Sequence, residues 1–552
     1  VGSLIINRKY GTLRRYKKIG EVLVKYGFNF LAENMRKKGY IPKKVLKTRK
    51  NASEDNWGVR IRKACEELGP TFVKLGQIMG TRRDILSPEI IEELERLQDQ
   101  VEEFSFDEAK EVFERNSEQS IDGTFHSFNK TPIASGSIGQ VYEAVLTSGE
   151  EVVVKIQRPN IESLIKDDLE ILNTLAKITD EHFYKNKAYS FQDIVEEFRF
   201  RIQRELDYTL EGKNAERFGN NFEQDNELYI PKIYWELSNK RVLTMEKIKG
   251  HKLIHKETLE NPKLDHHQLA LDNTNLFLEQ VFIYGLFHGD PHPGNIFITP
   301  EGKIAYIDFG VVGFLDQDSI SFITNLFIAV GKKDVDRIFN IIREIDAVSY
   351  ETNTRRLKED ISFFITEYYD KPLKELKLGT ALREFMDIAY NNGVKFPSQY
   401  ILLLKALISL ESTVNQLSPR FSIAMVIKEF MKEIYKRKYH PENLAKEYLS
   451  YSQDVIFSLK YMPRQLKSIL QKMEDEKFTV HIRNEEAKEI SKEIQKQTKR
   501  VGNSIVVGAI IIASTMILVM DYGRTLFSIP MLSWLGFILI GIYVFKQIFM
   551  ND

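Results

Sequence analysis

The chain is poor in cysteine, in net charge and, over most of its length, in long apolar runs. Cys65 is the only cysteine among 552 residues. That excludes an intramolecular disulfide framework, a cysteine-cluster metal site and a CxxC redox motif. Lysine plus arginine, 78, equals aspartate plus glutamate, 78. A nucleic-acid binder normally carries a basic surplus, so no nucleic-acid partner is expected. What is present is ordinary for folded protein, with 43% hydrophobic and 28% charged residues. The length calls for two or more folded units.

The long apolar runs that do exist are confined to the end. One covers roughly Ser504 to Met520 and the other roughly Met531 to Phe545. Each is at or below the usual ~20 residues of a spanning helix, and adding Leu526 to Pro530 brings the second to about that length. Lys492, Lys496, Lys499 and Arg500 precede the first run and Lys546 follows the second. On this reading residues 504–546 form two transmembrane helices with both outer ends in the cytoplasm. A buried helical hairpin is the alternative. Val1 to Lys9 does not read as a signal peptide, so the expected location is a multi-pass membrane protein with its folded domain in the cytoplasm.

Residues 1–50 are basic, with Leu13, Ile19, Val22, Leu23 and Tyr26 at near-helical spacing. Such a helix either lies on an anionic membrane surface or packs on the protein's own body. Residues 51–124 read as helical. Ser87-Pro88 marks one helix start, and Ser105 with Glu108 forms a capping box at another. Near residue 125 the pattern changes to short strands, Ile138 to Leu146 and Glu151 to Ile156, joined at Ser148-Gly149. Helical periodicity covers Asp193 to Arg217, and strand-like runs follow at Ile233 to Glu236 and Arg241 to Glu246. A sheet-bearing lobe over 125–250 thus precedes a helical lobe over 251–460. A charged helical linker is expected over 461–503.

Three separated motifs carry chemistry only in combination. Ala134-Ser135-Gly136-Ser137-Ile138-Gly139-Gln140-Val141 is a small-residue turn at a hairpin, where backbone N–H groups can approach phosphate oxygens. Lys155 on the next strand can reach those phosphates. His288-Gly289-Asp290-Pro291-His292-Pro293-Gly294-Asn295 is a rigid loop whose aspartate and asparagine stand five apart, as in a protein-kinase catalytic loop. A carboxylate there suits an accepting hydroxyl, and an amide oxygen suits magnesium. Ile307-Asp308-Phe309-Gly310 presents one more carboxylate at a strand end. Together the motifs predict binding of ATP and Mg2+, with Asn295 and Asp308 as metal ligands. His288 and His292 could suggest zinc, but the adjoining prolines and the lack of cysteine favour hydrogen-bonding roles.

With these motifs in order, the chain resembles the UbiB/AarF/ADCK family of atypical protein-kinase-like proteins. Lys74-Leu75-Gly76-Gln77 matches the family's KxGQ motif, within a similar run from Gly69 to Gln98. Glu205-Leu206-Asp207 matches its ExD motif, Lys155 its nucleotide lysine, and Ala134 through Val141 its alanine-rich loop, with Ser135 and Gly136 in place of alanines. The resemblance implies an α+β fold: an atypical two-lobed kinase-like core with a helical N-terminal KxGQ extension, here followed by the transmembrane hairpin. It implies that the extension covers part of the expected peptide-substrate cleft, and that Lys74 and Gln77 point into the nucleotide site with Lys74 near Glu205 and Asp207. Lys155 needs a carboxylate partner, either Glu205 or Glu211 two turns on, and Glu211 is preferred. Arg241 to Ile248 resembles the hinge strand, where backbone groups near Glu246 to Ile248 would hold adenine. Gly289 replaces the usual kinase arginine, and no Ala-Pro-Glu signature follows Asp308.

The expected activity is ATP hydrolysis, or phosphoryl transfer to a small or lipid-derived acceptor, with Asp290 positioning the acceptor. The resemblance adds a role in isoprenoid quinone biosynthesis, ubiquinone or menaquinone, with a membrane lipid or quinone precursor and other biosynthetic proteins as partners. A nucleotide-gated scaffold and a true protein kinase are the rival readings. The sequence leaves the oligomeric state open.

Overall fold

The computed structural model describes residues 2–47, 56–82, 85–97, 103–183, 190–223, 227–345, 347–348, 352–369, 372, 374–438, 525–526 and 529–530. The chain divides into two compact units, Val1–His440 and Pro441–Asp552.

In the first unit, alternation of side chains builds the small lobe. Strands Phe125–Phe128, Gly139–Leu146, Glu151–Gln157 and Val242–Glu246 lie in that order in an antiparallel sheet, with Ala134–Ser135 paired to the second. Tyr142, Val152, Val154 and Ile156 are fully buried in a core shared with Ala109 and Phe113 of helix Phe106–Ser117. The two-residue period sends Lys155 to the opposite face, in register with Val141 and Leu243. One strand thus secures the lobe with one face and delivers a cation with the other. The Ser105–Glu108 capping box at the start of the packed helix is present in full.

Short strands of the second lobe place the loops. Leu286–His288 pairs with Val312–Phe314, and Ile296–Ile298 pairs with Ile304–Tyr306, both antiparallel. The partners His288↔Val312 and Ile296↔Tyr306 flank the loop around Asp290 and the turn at Asp308. Register therefore sets these two segments side by side. Beyond them come helices, among them Gln317–Gly331, Leu378–Asn391 and Ser398–Leu417. Apolar residues from this lobe and from the extension form one continuous core.

The extension is helical, with Trp57–Leu68 and Pro70–Met79 separated at Gly69 and followed by Pro88–Leu94. The N-terminal helix Gly2–Lys25 packs on the protein itself: Ile19, Val22 and Leu23 are buried. Its Arg15 donates to Asp168 at 2.6 and 2.8 Å and to the Leu68 carbonyl at 2.8 Å.

Three sequence expectations need correction. The run from Asp193 to Arg217 is two helices, Phe191–Glu205 and Tyr208–Asn221, because Asp207 leaves the first and caps the second. Ile233 to Glu236 is no strand; Ile233 forms a single bridge to Met245, and Trp235–Leu237 is a 3-10 turn.

The third concerns the membrane. Among the described residues no helix is long and apolar enough to cross a bilayer. The proposed transmembrane helices, and with them the multi-pass location, are therefore withdrawn. Thr525–Leu526 and Ile529–Pro530 form an antiparallel β pair. Leu526 to Pro530 therefore cannot lengthen the second apolar run to a spanning helix. The runs themselves, and the linker over 461–503, lie outside the described residues.

Candidate active site

The site is assembled from two lysine–carboxylate pairs. Lys155 Nζ bonds both oxygens of Glu211, at 2.9 and 2.7 Å, from the helix Tyr208–Asn221. Lys74 Nζ lies 2.7 Å from Glu205 Oε1 at the end of the preceding helix. Asp207, between the two helices, accepts instead from Thr209 N at 3.1 Å and Thr209 Oγ1 at 2.5 Å. Six residues of sequence thus send two glutamates to two different lysines.

Charges in this cluster act on one another. Burial alone would lower the Lys155 pKa, but Glu211 and then Asp308 more than reverse it and hold the ammonium charged. Burial would likewise raise Asp308; Lys155, the Gly310 N–H and His288 instead keep it below the ordinary aspartate value, with Lys74 adding to the effect. Burial pushes Glu211 up to about 7, against the pull of Lys155. The two shifts on this one ion pair oppose each other. With both carboxylate oxygens bonded to the ammonium, the doubly charged pair is the state the geometry describes.

His288 ties the loop to the turn. Its Nδ1 accepts from Asp290 N at 3.1 Å, so its Nε2 carries the proton and donates to the Asp308 carbonyl at 2.5 Å. Burial holds its pKa below the usual histidine value, which suits a neutral ring. Asn295 donates its amide N–H to the Asp290 carbonyl at 3.3 Å, leaving the amide oxygen as the acceptor end. Its own carbonyl accepts from Ile307 N at 3.2 Å, one residue before Asp308. His292 caps its turn by accepting from Gly294 N.

The turn over Lys155 is a tight hairpin: Gly136 N donates to Gly139 O at 2.8 Å. Ser137 and Ile138 are buried, and Arg158 N donates to the Ile138 carbonyl at 2.7 Å. Gln140 is fully buried against Tyr142, 2.6 Å away, so its side chain serves the lobe core. A Cβ on Gly139 would sit 2.4 Å from the Tyr208 hydroxyl and 2.5 Å from the Ile156 carbonyl, so only glycine fits. That Tyr208 hydroxyl is buried with no hydrogen-bond partner, and the Tyr208 ring lies 5.1 Å from Lys155 Nζ.

At the hinge, Glu246 is committed to the protein. Its N–H donates to Lys232 O, and its carboxylate accepts from the Tyr229 hydroxyl at 2.6 Å and Lys232 N at 3.2 Å. Lys247 N donates to Glu151 O. The backbone N–H groups of Glu246 and Lys247 are thus occupied within the protein. In the KxGQ segment, Gly76 is where Leu97 packs, and Gln77 donates to the Leu97 carbonyl at 3.3 Å. Gln77 thereby braces the extension, while Lys74 reaches the charged cluster.

These residues fit a magnesium-bound nucleotide by their chemistry. Asn295 and Asp308 offer the hard oxygens magnesium prefers, and the unpartnered Tyr208 hydroxyl lies beside the lysine and the turn. Two further side chains at this cluster carry no motif in the sequence. Tyr208 is hidden as an ordinary helix residue, signalled only by the Asp207 cap before it. Lys405, whose Nζ is 3.5 Å from Asp290 Oδ2, had no local signal at all. Among the described residues His251, His255 and Glu257 also cluster, but they are exposed and lie among lysines 249, 252 and 256, where nothing else points to a metal.

A two-lobed arrangement with a strand lysine paired to a helix glutamate, and an Asp–Asn loop beside an aspartate turn, defines a kinase-like protein. The chain matches the ABC1 atypical kinase-like domain over residues 96–342, the UbiB helical domain over 361–422, and the ABC1/UbiB kinase-like C-terminal domain over 485–550. It is 33% identical to a "Probable protein kinase UbiB" of Marinobacter nauticus, covering 70% of this chain and 72% of that protein. With the protein of that name from Cellvibrio japonicus identity is 32%, over 76% of each. An "Uncharacterized protein in hydrogenase 1 5'region" of Clostridium pasteurianum is 31% identical over 97% of this chain and 98% of its own length. The chain belongs to the UbiB family of ABC1 kinase-like proteins. At the level of that family it is an ATP-dependent, kinase-like enzyme.

Proposed function

We propose that this protein hydrolyses ATP, or transfers its γ-phosphoryl group to a small or lipid-derived acceptor, in support of isoprenoid quinone biosynthesis. The observation that supports this reading is the mutual electrostatic influence of Lys155 and Asp308, the two charges it assigns to the phosphates and to magnesium. Asn295 and Asp308 would hold magnesium, which when bound shields the phosphate charge. Lys155, fixed by Glu211, orients the phosphates, and the hinge at Ile248 receives the adenine. The 134–141 turn covers the phosphates with backbone N–H groups. Asp290 positions the acceptor and takes its proton.

The test is phosphate release by purified protein in lipid vesicles, with and without a polyprenylated phenol. Turnover stimulated by the phenol and lost in Asp308→Ala is the expected result. Mg-ATP turnover equal in wild type and Asp308→Ala would overturn it. The names of the relatives favour a second reading, a protein kinase. Phosphate on a serine or threonine of an added protein, lost in Asp290→Asn, would establish that reading instead.

A further inference from the structure

The loop from His288 to Asn295 contains no lysine or arginine. Phosphoryl transfer spreads negative charge over the equatorial oxygens, and a positioned cation beside the acceptor is among the strongest aids the reaction can have. Lys155 lies under the hairpin turn, on the nucleotide side. His292 is occupied in capping its own turn. The acceptor side of the site has no cation of its own from the loop.

The structure supplies one from 115 residues downstream. Lys405, on helix Ser398–Leu417, brings its ammonium to 3.5 Å from Asp290 Oδ2. The helix is fixed to the loop on both sides of this contact. Thr413 Oγ1, fully buried, donates to the Pro291 carbonyl at 3.0 Å. Leu402 packs so closely on Gly289 that a Cβ there would lie 3.1 Å from its Cδ1. Lys405 and Asp290 themselves keep 39% and 36% of their side-chain exposure, so the pair is reached from solvent. A long flexible lysine on a firmly docked helix can leave a carboxylate for a phosphate without moving the backbone.

We propose that Lys405 is the catalytic cation of the acceptor side: with nucleotide absent it holds the Asp290 carboxylate, and during transfer its N–H groups bond the oxygens of the migrating phosphoryl group. In that step the acceptor oxygen bonds to the γ-phosphorus as the bond to the β–γ bridging oxygen breaks. The bond pair leaves with ADP, and the acceptor proton goes to Asp290 and on to solvent. The helical lobe then completes the active site as well as supporting it. This inference rests on the ATP reading proposed above.

Two variants test it, Lys405→Met and Lys405→Arg, in the full-length protein. The expected loss in Lys405→Met is about 100-fold in kcat with the KM for ATP raised about tenfold, and Lys405→Arg restores most of it. A binding readout accompanies this. With magnesium present, a fluorescent ATP analogue binds Lys405→Met about tenfold more weakly, while the matching ADP analogue binds as in wild type. ATP and ADP affinities both within twofold of wild type, with kcat within threefold, would reduce Lys405 to a rim ion pair and overturn the proposal. Equal weakening of both nucleotides would overturn it too, by showing a general structural role. If Lys405→Met does not fold, Lys405→Gln carries the same comparison. Wild-type protein that binds neither nucleotide would instead sink the ATP reading itself.

Discussion

Lys155–Glu211 and Lys74–Glu205 are the same ion pair in chemical terms, each closing at 2.7 Å, yet they sit in different surroundings. Glu211 keeps 6% of its side-chain exposure, whereas Glu205 keeps 28%. The first pair joins the sheet to a helix inside one lobe. The second joins the N-terminal extension to the end of the neighbouring helix. Removing a partner from a buried pair strands a desolvated charge, while a wetter pair lets water take its place. Glu211 is therefore the more desolvated of the two carboxylates, and losing its lysine partner costs more than the same loss at Glu205.

Three experiments sharpen or break that contrast. The largest effect is expected from Glu211→Gln, about 3–5 kcal/mol of stability by urea denaturation, together with loss of ATP-dependent stabilisation. Glu205→Gln should cost only about 1–2 kcal/mol. Equal losses from the two variants would erase the distinction. Next comes the hairpin turn above Lys155. Gly139→Ala must push Tyr208 and the Ile156 carbonyl aside, at about 1–3 kcal/mol. Gly136→Ala, whose Cβ meets only the Gly139 carbonyl at 3.6 Å, should stay within about 0.5 kcal/mol in the same denaturation experiment. The smallest effect concerns Cys65, buried in the extension and pushed up to about 12 by that burial. A thiol reagent at neutral pH should label it only after denaturation. Rapid labelling of the folded protein would show that the extension opens far more readily than its packing implies.

How far the sequence could be read depends on the range of the interaction. Lys155 was legible because strand alternation is local: Val154 and Ile156 had to face the core, so Lys155 had to face away. Asp290, Asn295 and Asp308 were legible because their spacing along short loops limits where they can go. The division of Asp193 to Arg217 into two helices was harder to see. The side chain of Asp207 competes with the backbone, and its capping bonds show only once the chain is folded. Gln140 is expected in the phosphate loop, but its side chain turns inward to Tyr142 by the same period of two. The C-terminal apolar runs were overread. Hydropathy alone allowed Leu526 to Pro530 to extend a helix, and backbone pairing placed Leu526, Ile529 and Pro530 in a β pair.

By itself the sequence determined the order of the lobes, the face on which Lys155 emerges and the loops that bear the carboxylates and the amide. Each of these follows from periodicity or from steric limits acting over a few residues. Only the tertiary structure decided which glutamate meets which lysine, that Tyr208 lies over the turn, and that Lys405 stands beside Asp290. Those pairings join segments from 56 to 131 residues apart, and no local rule of backbone geometry spans such a distance; they exist because separately formed elements bury their apolar faces against one another and carry their polar groups along.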